Sequence, residues 1–118
     1  MKCEAFELEL SDAAMEHIKD FTIVKEYGSS AYGHPLHTWD RGKRYLIRCN
    51  KCEGFILVQS SEYHGFGDDD DYVDYFPVEN EDEAEMLNKK YDGFAIETEF
   101  TGRYLMMTNG RVSWSREK

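Results

Sequence analysis

Cys49 and Cys52 are separated by two residues in the stretch Cys49-Asn50-Lys51-Cys52-Glu53-Gly54. At that spacing two thiolates can face one metal ion while the backbone amides of the turn point at the sulfurs, and the glycine that follows supplies a left-handed bend. The flanking runs RYLIR (Arg44 to Arg48) and FILVQ (Phe55 to Gln59) are rich in β-formers, so the turn joins two strands and has the form of a zinc knuckle. A structural zinc takes four ligands, of which this pair supplies two. The favoured completion is His34 with His37, an H-x2-H in an upstream loop, with His64 and Cys3 as the other residues of suitable chemistry. Arg41, Lys43, Arg44, Arg48 and Lys51 lie close enough in sequence to offset thiolate charge. The plainer reading of the same pair is two small buried side chains in a reducing compartment.

Other uses of the cysteines fit less well. A redox C-x-x-C sits at the start of a helix, where the dipole lowers the first thiol's pKa, whereas Cys52 leads through Glu53-Gly54 straight into FILV. A zinc deaminase needs H-x-E and a proline before its C-x-x-C; here position 48 is Arg, and His34 is followed by Pro35 and Leu36. The Cys49 to Gly54 turn resembles half of a zinc ribbon, and that resemblance implies a half-site and no function. No nucleophile elbow, phosphate loop, H-E-x-x-H or dinucleotide fingerprint is present, so the chain reads as a non-enzyme.

A second cluster is acidic. Asp68, Asp69, Asp70 and Asp71, followed by Asp74, offer carboxylates to a hard cation, but Tyr72 and Val73 stand where an EF-hand loop needs a ligand and a glycine. A solvated loop is the ordinary fate of such a run. Tyr63, Phe66, Tyr72 and Tyr75 interleave with these acids, and aromatic anchors in a charged patch are typical of partner-binding surfaces. The competing reading turns alternate aromatics of YVDYF into the core.

The elements that must position these residues follow from patterning. At 118 residues, 41% hydrophobic and 14% aromatic, the chain has the size and apolar content of one domain, residues 1–118. Residues 3–10 alternate Phe6, Leu8 and Leu10 with acids and read as a strand. Ser11 reads as the N-cap of a helix running from about Asp12 to at least Asp20, with Ala14, Met15, Ile18 and Phe21 as its apolar stripe. FTIVKEY continues that helix or forms a strand. Residues 28–42 form a long loop, then come a hairpin over 43–61, a Gly- and Asp-rich loop around 64–71 and a strand ending at Pro77. Asn80 with Glu83 is a capping-box pattern for a second helix bearing Ala84, Leu87 and Tyr91, stopped by Asp92-Gly93. FAIETEF and RYLMMT are strand-like, and Asn109-Gly110 turns RYLMMT into RVSWS. The sum is an α+β domain, a mostly antiparallel sheet of five or six strands with two helices on one face and a possible zinc knuckle.

Charge narrows the function classes. With 24 Asp and Glu against 14 Lys and Arg, the formal net charge is -10. Between Glu62 and Glu85 there are eleven acidic residues and no Lys or Arg, while between His34 and Cys52 there are five basic residues and one acidic. An acidic surface repels nucleic acid and attracts basic proteins. The expectation is therefore a cytoplasmic protein-binding module, an inhibitor or immunity-type protein that occludes a basic partner such as a nuclease toxin. Its candidate contact residues are Tyr63, Phe66, Asp68, Asp69, Asp70, Asp71, Tyr72, Asp74 and Tyr75, its cofactor a structural zinc, and it makes no membrane contact. The alternatives are a zinc-knuckle nucleic-acid binder using the basic patch 41–51 with Trp39 and Tyr45, and a metal-dependent enzyme. Three cysteines, two of them close together, fit reduced thiols better than a secreted disulfide framework, and the acidic start MKCEAFELEL is unlike a signal peptide.

Overall fold

The computed structural model describes residues 2–30, 41–64, 69–91, 96 and 100–116. Helix α1 (Ser11–Ile18) precedes strands β1 (Phe21–Ser30), β2 (Arg41–Cys49), β3 (Phe55–His64) and β4 (Asp69–Val78); helix α2 (Glu81–Lys90) follows, then β5 (Leu105–Thr108) and β6 (Arg111–Trp114). The six strands form one antiparallel sheet in the order β1-β2-β3-β4-β5-β6, with the expected cysteine hairpin β2–β3 at its heart. No helix among the described residues is long and apolar enough to cross a membrane.

The central strands are apolar at consecutive positions, and this decides the layering. Leu46 and Leu57 pair across β2 and β3 on one face, while Ile47 and Ile56 pair on the other. A strand that is hydrophobic on both sides must be covered on both. Accordingly α1 packs with Cys3, Ala5, Phe6, Ile47, Cys49, Ile56, Val58 and Leu105 on one face. On the other, Ala84 and Leu87 of α2 pack with Leu46, Leu57, Phe76, Val78, Tyr91, Ile96 and Tyr104. The single covered face expected from the sequence is replaced by a sheet between two layers.

Several local expectations meet the structure directly. Asn80 caps α2 by accepting the Glu83 N–H at 2.9 Å. Asn109 and Gly110 both have positive φ, 50° and 84°, the type I′ hairpin geometry. Residues 21–30 form a strand because Thr22, Ile23 and Val24 are β-branched and α1 has already ended at Ile18. Ser11 is not the cap of α1; Leu10 holds that position, and the Ser11 hydroxyl donates to the Val112 carbonyl at 3.2 Å. Residues 3–10 do not form a strand. They make a single 3-10 turn, Glu4–Glu7, that buries the adjacent Ala5 and Phe6 and leaves Leu10 71% exposed. Of FAIETEF only Ile96 and Phe100 are described, and the Phe100 N–H donates to the Ile96 carbonyl at 3.1 Å, which is not strand pairing. The stop at Asp92-Gly93 and most of the 28–42 loop lie outside the described residues, although the ends of that loop belong to β1 and β2.

One buried cation ties α2 to the sheet. Arg44 is 0% exposed, and its guanidinium donates to Gln59 Oε1 at 2.6 Å, Asn88 Oδ1 at 3.2 Å and the Tyr91 carbonyl at 3.2 Å. Gln59 Oε1 also accepts the Ile96 N–H at 3.3 Å, which holds Ile96 against the same row. Removing the guanidinium would strand these buried acceptors. Arg44→Ala is expected to cost about 3 kcal/mol in denaturant unfolding; an unchanged midpoint would contradict this role.

Burial, with the Tyr45 and Asp74 charges secondary to it, pushes the Tyr75 phenol from 10.0 up to about 12. The folded chain therefore keeps a proton that the unfolded chain releases. Stability present below pH 10 falls as pH rises toward 12. Tyr75→Phe should hold its unfolding free energy further into that range than the parent, read by urea titrations at successive alkaline pH values.

Candidate metal centre

The turn between β2 and β3 is closed by two backbone bonds, Glu53 N–H to the Cys49 carbonyl at 2.8 Å and Cys49 N–H to the Gly54 carbonyl at 2.9 Å. The left-handed residue is Glu53, with φ of 63°, and not Gly54. Glycine is required at 54 for another reason: a Cβ there would lie 2.8 Å from the Cys3 Cβ and closer still to the Cys3 backbone. The missing side chain is the space through which the N-terminal segment reaches the turn. Lys2 forms a parallel bridge with Phe55 just beyond it.

The same turn terminates α1. The last carbonyls of a helix lack intrahelical donors, and here the turn supplies donors for α1 and the residues after it. Lys51 Nζ donates to the Glu16 carbonyl at 3.5 Å, the Cys49 thiol to the His17 carbonyl at 3.8 Å and the Asn50 N–H to the Asp20 carbonyl at 3.0 Å. The Asn50 amide adds a bond to the Asp20 carboxylate at 2.9 Å, and Thr22 donates to Asn50 Oδ1 at 2.8 Å. These bonds set the last turn of α1 over the cysteines and present His17 to them.

Among the described residues, Cys3, His17, Cys49 and Cys52 come together with their ligand atoms all within 4.8 Å of one another, and this cluster could hold a metal ion. Sulfurs about 2.3 Å from a tetrahedral ion stand about 3.8 Å apart, so modest side-chain rotation closes the set. Cys3 and Cys49 are 2% and 0% exposed, Cys52 and His17 half-buried. His17 Nε2 is buried, and the His17 side chain lies against the Cys52 thiol. Burial raises the Cys52 thiol, but the His17 imidazole, the Glu4 and Gly54 N–H groups and the Cys3 thiol outweigh it and hold it at about 6. Burial drives the Cys3 thiol well above its ordinary value, against the Ala5 N–H, which favours its thiolate.

Of the ligands expected from sequence, Cys49 and Cys52 are in the cluster, and Cys3, named there as an alternative, is the third. His34 and His37 lie outside the described residues, and His64 ends β3. His17 escaped the sequence reading, although it falls three residues after Ala14, on the stripe that α1 buries. A histidine on a buried helical stripe needs a polar partner, and that was the available signal.

The candidate contact residues are spread over the β3–β4 hairpin. Phe66 and Asp68 lie outside the described residues; Tyr63 is in β3, and Asp69 and Asp70 open β4. Asp71 is exposed and Tyr72 half-buried. Asp74 is 7% exposed and shares a cross-strand row with Arg44 and Gln59 on the α2 side, while the half-buried Tyr75 packs with the α1 layer. Of the basic patch, Arg44 is in the core and Lys43, Arg48 and Lys51 are exposed.

Compared with protein-family models, curated proteins and solved structures, the chain matches none.

The close approach at Gly54 ties the position of Cys3 in the candidate centre to the absence of a side chain there. Gly54→Ala should displace Cys3 and weaken metal binding at least as much as Cys3→Ser, with competitive chelator titration as the readout. Metal affinity equal to the parent's in Gly54→Ala would show that Cys3 is not held by this approach.

Proposed function

We propose that the protein is a small binding module stapled by one structural zinc ion, whose carboxylate-rich surface engages a basic protein in the manner of an inhibitor or immunity-type protein. The observation that carries the reading is the completeness of the ligand set. Three thiolates and one imidazole fill a tetrahedral zinc, whereas a catalytic zinc keeps one position for water or substrate. Soft sulfur donors with one nitrogen select zinc over the hard cations. A metal so enclosed acts through the fold, which leaves function to the surface.

That surface is acidic. Glu79, Glu81 and Asp82 are exposed around the start of α2, and Asp71 is exposed at the other end of β4. Carboxylates of this kind steer a cationic partner into encounter over distances set by ionic strength. The nucleic-acid alternative loses support, because the Arg44 of its patch is spent inside the core and the net charge is -10.

The test is affinity capture by the immobilised chain alongside a variant carrying Asp71→Asn, Glu79→Gln, Glu81→Gln and Asp82→Asn. The expected outcome is one basic protein retained at one-to-one stoichiometry in low salt, released by high salt and poorly retained by the variant. No stoichiometric basic partner, or equal retention by the variant, would contradict the reading.

A further inference from the structure

Two sulfurs in the centre stand closer than ligands of an enclosed metal need. The Cys52 thiol lies 3.4 Å from the Cys3 sulfur, against a disulfide bond length of about 2.05 Å. Cys49 is placed differently: it is fully buried, and its thiol is turned to the His17 carbonyl. Cys52 is the half-buried member of the three, and Cys3 lines a cleft of about 280 Å3 shared with Lys2, Phe6, Pro77 and Arg103. A small oxidant has room there.

We propose that peroxide converts Cys3 and Cys52 into a reversible disulfide, so that a covalent link replaces the metal as the pin holding the N-terminal segment to the β2–β3 turn. In the first step one thiolate sulfur attacks a peroxide oxygen; an S–O bond forms, the O–O bond breaks and hydroxide leaves. The second thiolate then attacks that sulfur, an S–S bond forms, the S–O bond breaks and a second hydroxide leaves. Two protons convert the hydroxides to water, the two sulfurs together lose two electrons, and the divalent ion departs with its charge unchanged. Either pin would preserve the contacts of this structure, Lys2 beside Phe55 with Ala5 and Phe6 in the core, so the oxidised chain is expected to stay folded. The inference depends on the zinc reading for what is released, not for which sulfurs join.

The experiment treats the full chain, in zinc-loaded and metal-free forms, with hydrogen peroxide. It follows zinc with a chromophoric chelator and locates any link by peptide mass mapping. The expected result is one Cys3–Cys52 disulfide in each form, one zinc released per link in the loaded form, and recovery of thiols and zinc binding after dithiothreitol. Cys49→Ser should still form the link and Cys3→Ser should not. A Cys49–Cys52 disulfide, or zinc release with only sulfinate or sulfonate products, would overturn the proposal. A chain that takes up no zinc yet forms the Cys3–Cys52 link would refute the zinc reading while sustaining this one.

Discussion

Everything in this fold that matters for its chemistry is referred to six residues, Cys49 to Gly54, where three distant parts of the chain meet. The turn ends β2, terminates α1 by bonding to the Glu16, His17 and Asp20 carbonyls, and admits Cys3 through the gap left at Gly54. None of these contacts is local in sequence. A metal ion bound here would link the N-terminal segment, the first helix and the sheet at one point, which is how structural zinc contributes to folding where a small core alone is marginal.

The rest of the molecule divides the work by face. The α1 face carries the cysteines and closes over the N-terminal segment, with Phe6 against Trp114 and the Arg103 guanidinium 3.7 Å above the Trp114 ring. The α2 face contains the buried Arg44 row and the aromatic cluster of Phe76, Phe100 and Tyr104, whose centroids lie 4.7 to 5.8 Å apart. Among the described residues, exposed acids stand at both ends of β4. Glu79, Glu81 and Asp82 stand where β4 passes into α2, and Asp71 stands at the opposite end of that strand. A partner reading both ends would have to span the sheet.

Much of this was legible beforehand wherever one residue type has one local use. Asn80 before an acidic turn, Asn109-Gly110 between β-formers and the runs flanking the cysteines each name their structure, because capping and type I′ turns are satisfied within a few residues. What could not be read depends on contacts far apart in sequence. Gly54 looks like a residue chosen for its backbone angles, and its real constraint is Cys3, fifty-one positions earlier and visible only in three dimensions. Arg44 looks like a member of a basic patch until Gln59, Asn88 and Tyr91 surround it. The alternation of Phe6, Leu8 and Leu10 suggests a strand, yet packing takes Ala5 with Phe6 and leaves Leu10 in solvent. His17 was hidden by its place in a helix, since ligand spacing along one segment does not reveal a ligand delivered by another.

The Cys3, His17, Cys49 and Cys52 cluster is also what separates this chain from a merely acidic α+β domain, and a metal bound there would fix the N-terminal segment against the β2–β3 turn. X-ray absorption at the zinc edge of the protein, purified without chelators, tests it most directly. The account predicts one zinc per chain with three sulfurs at about 2.3 Å and one nitrogen at about 2.0–2.1 Å. An oxygen-rich shell, a two-sulfur shell, or protein that neither carries nor takes up zinc would contradict it.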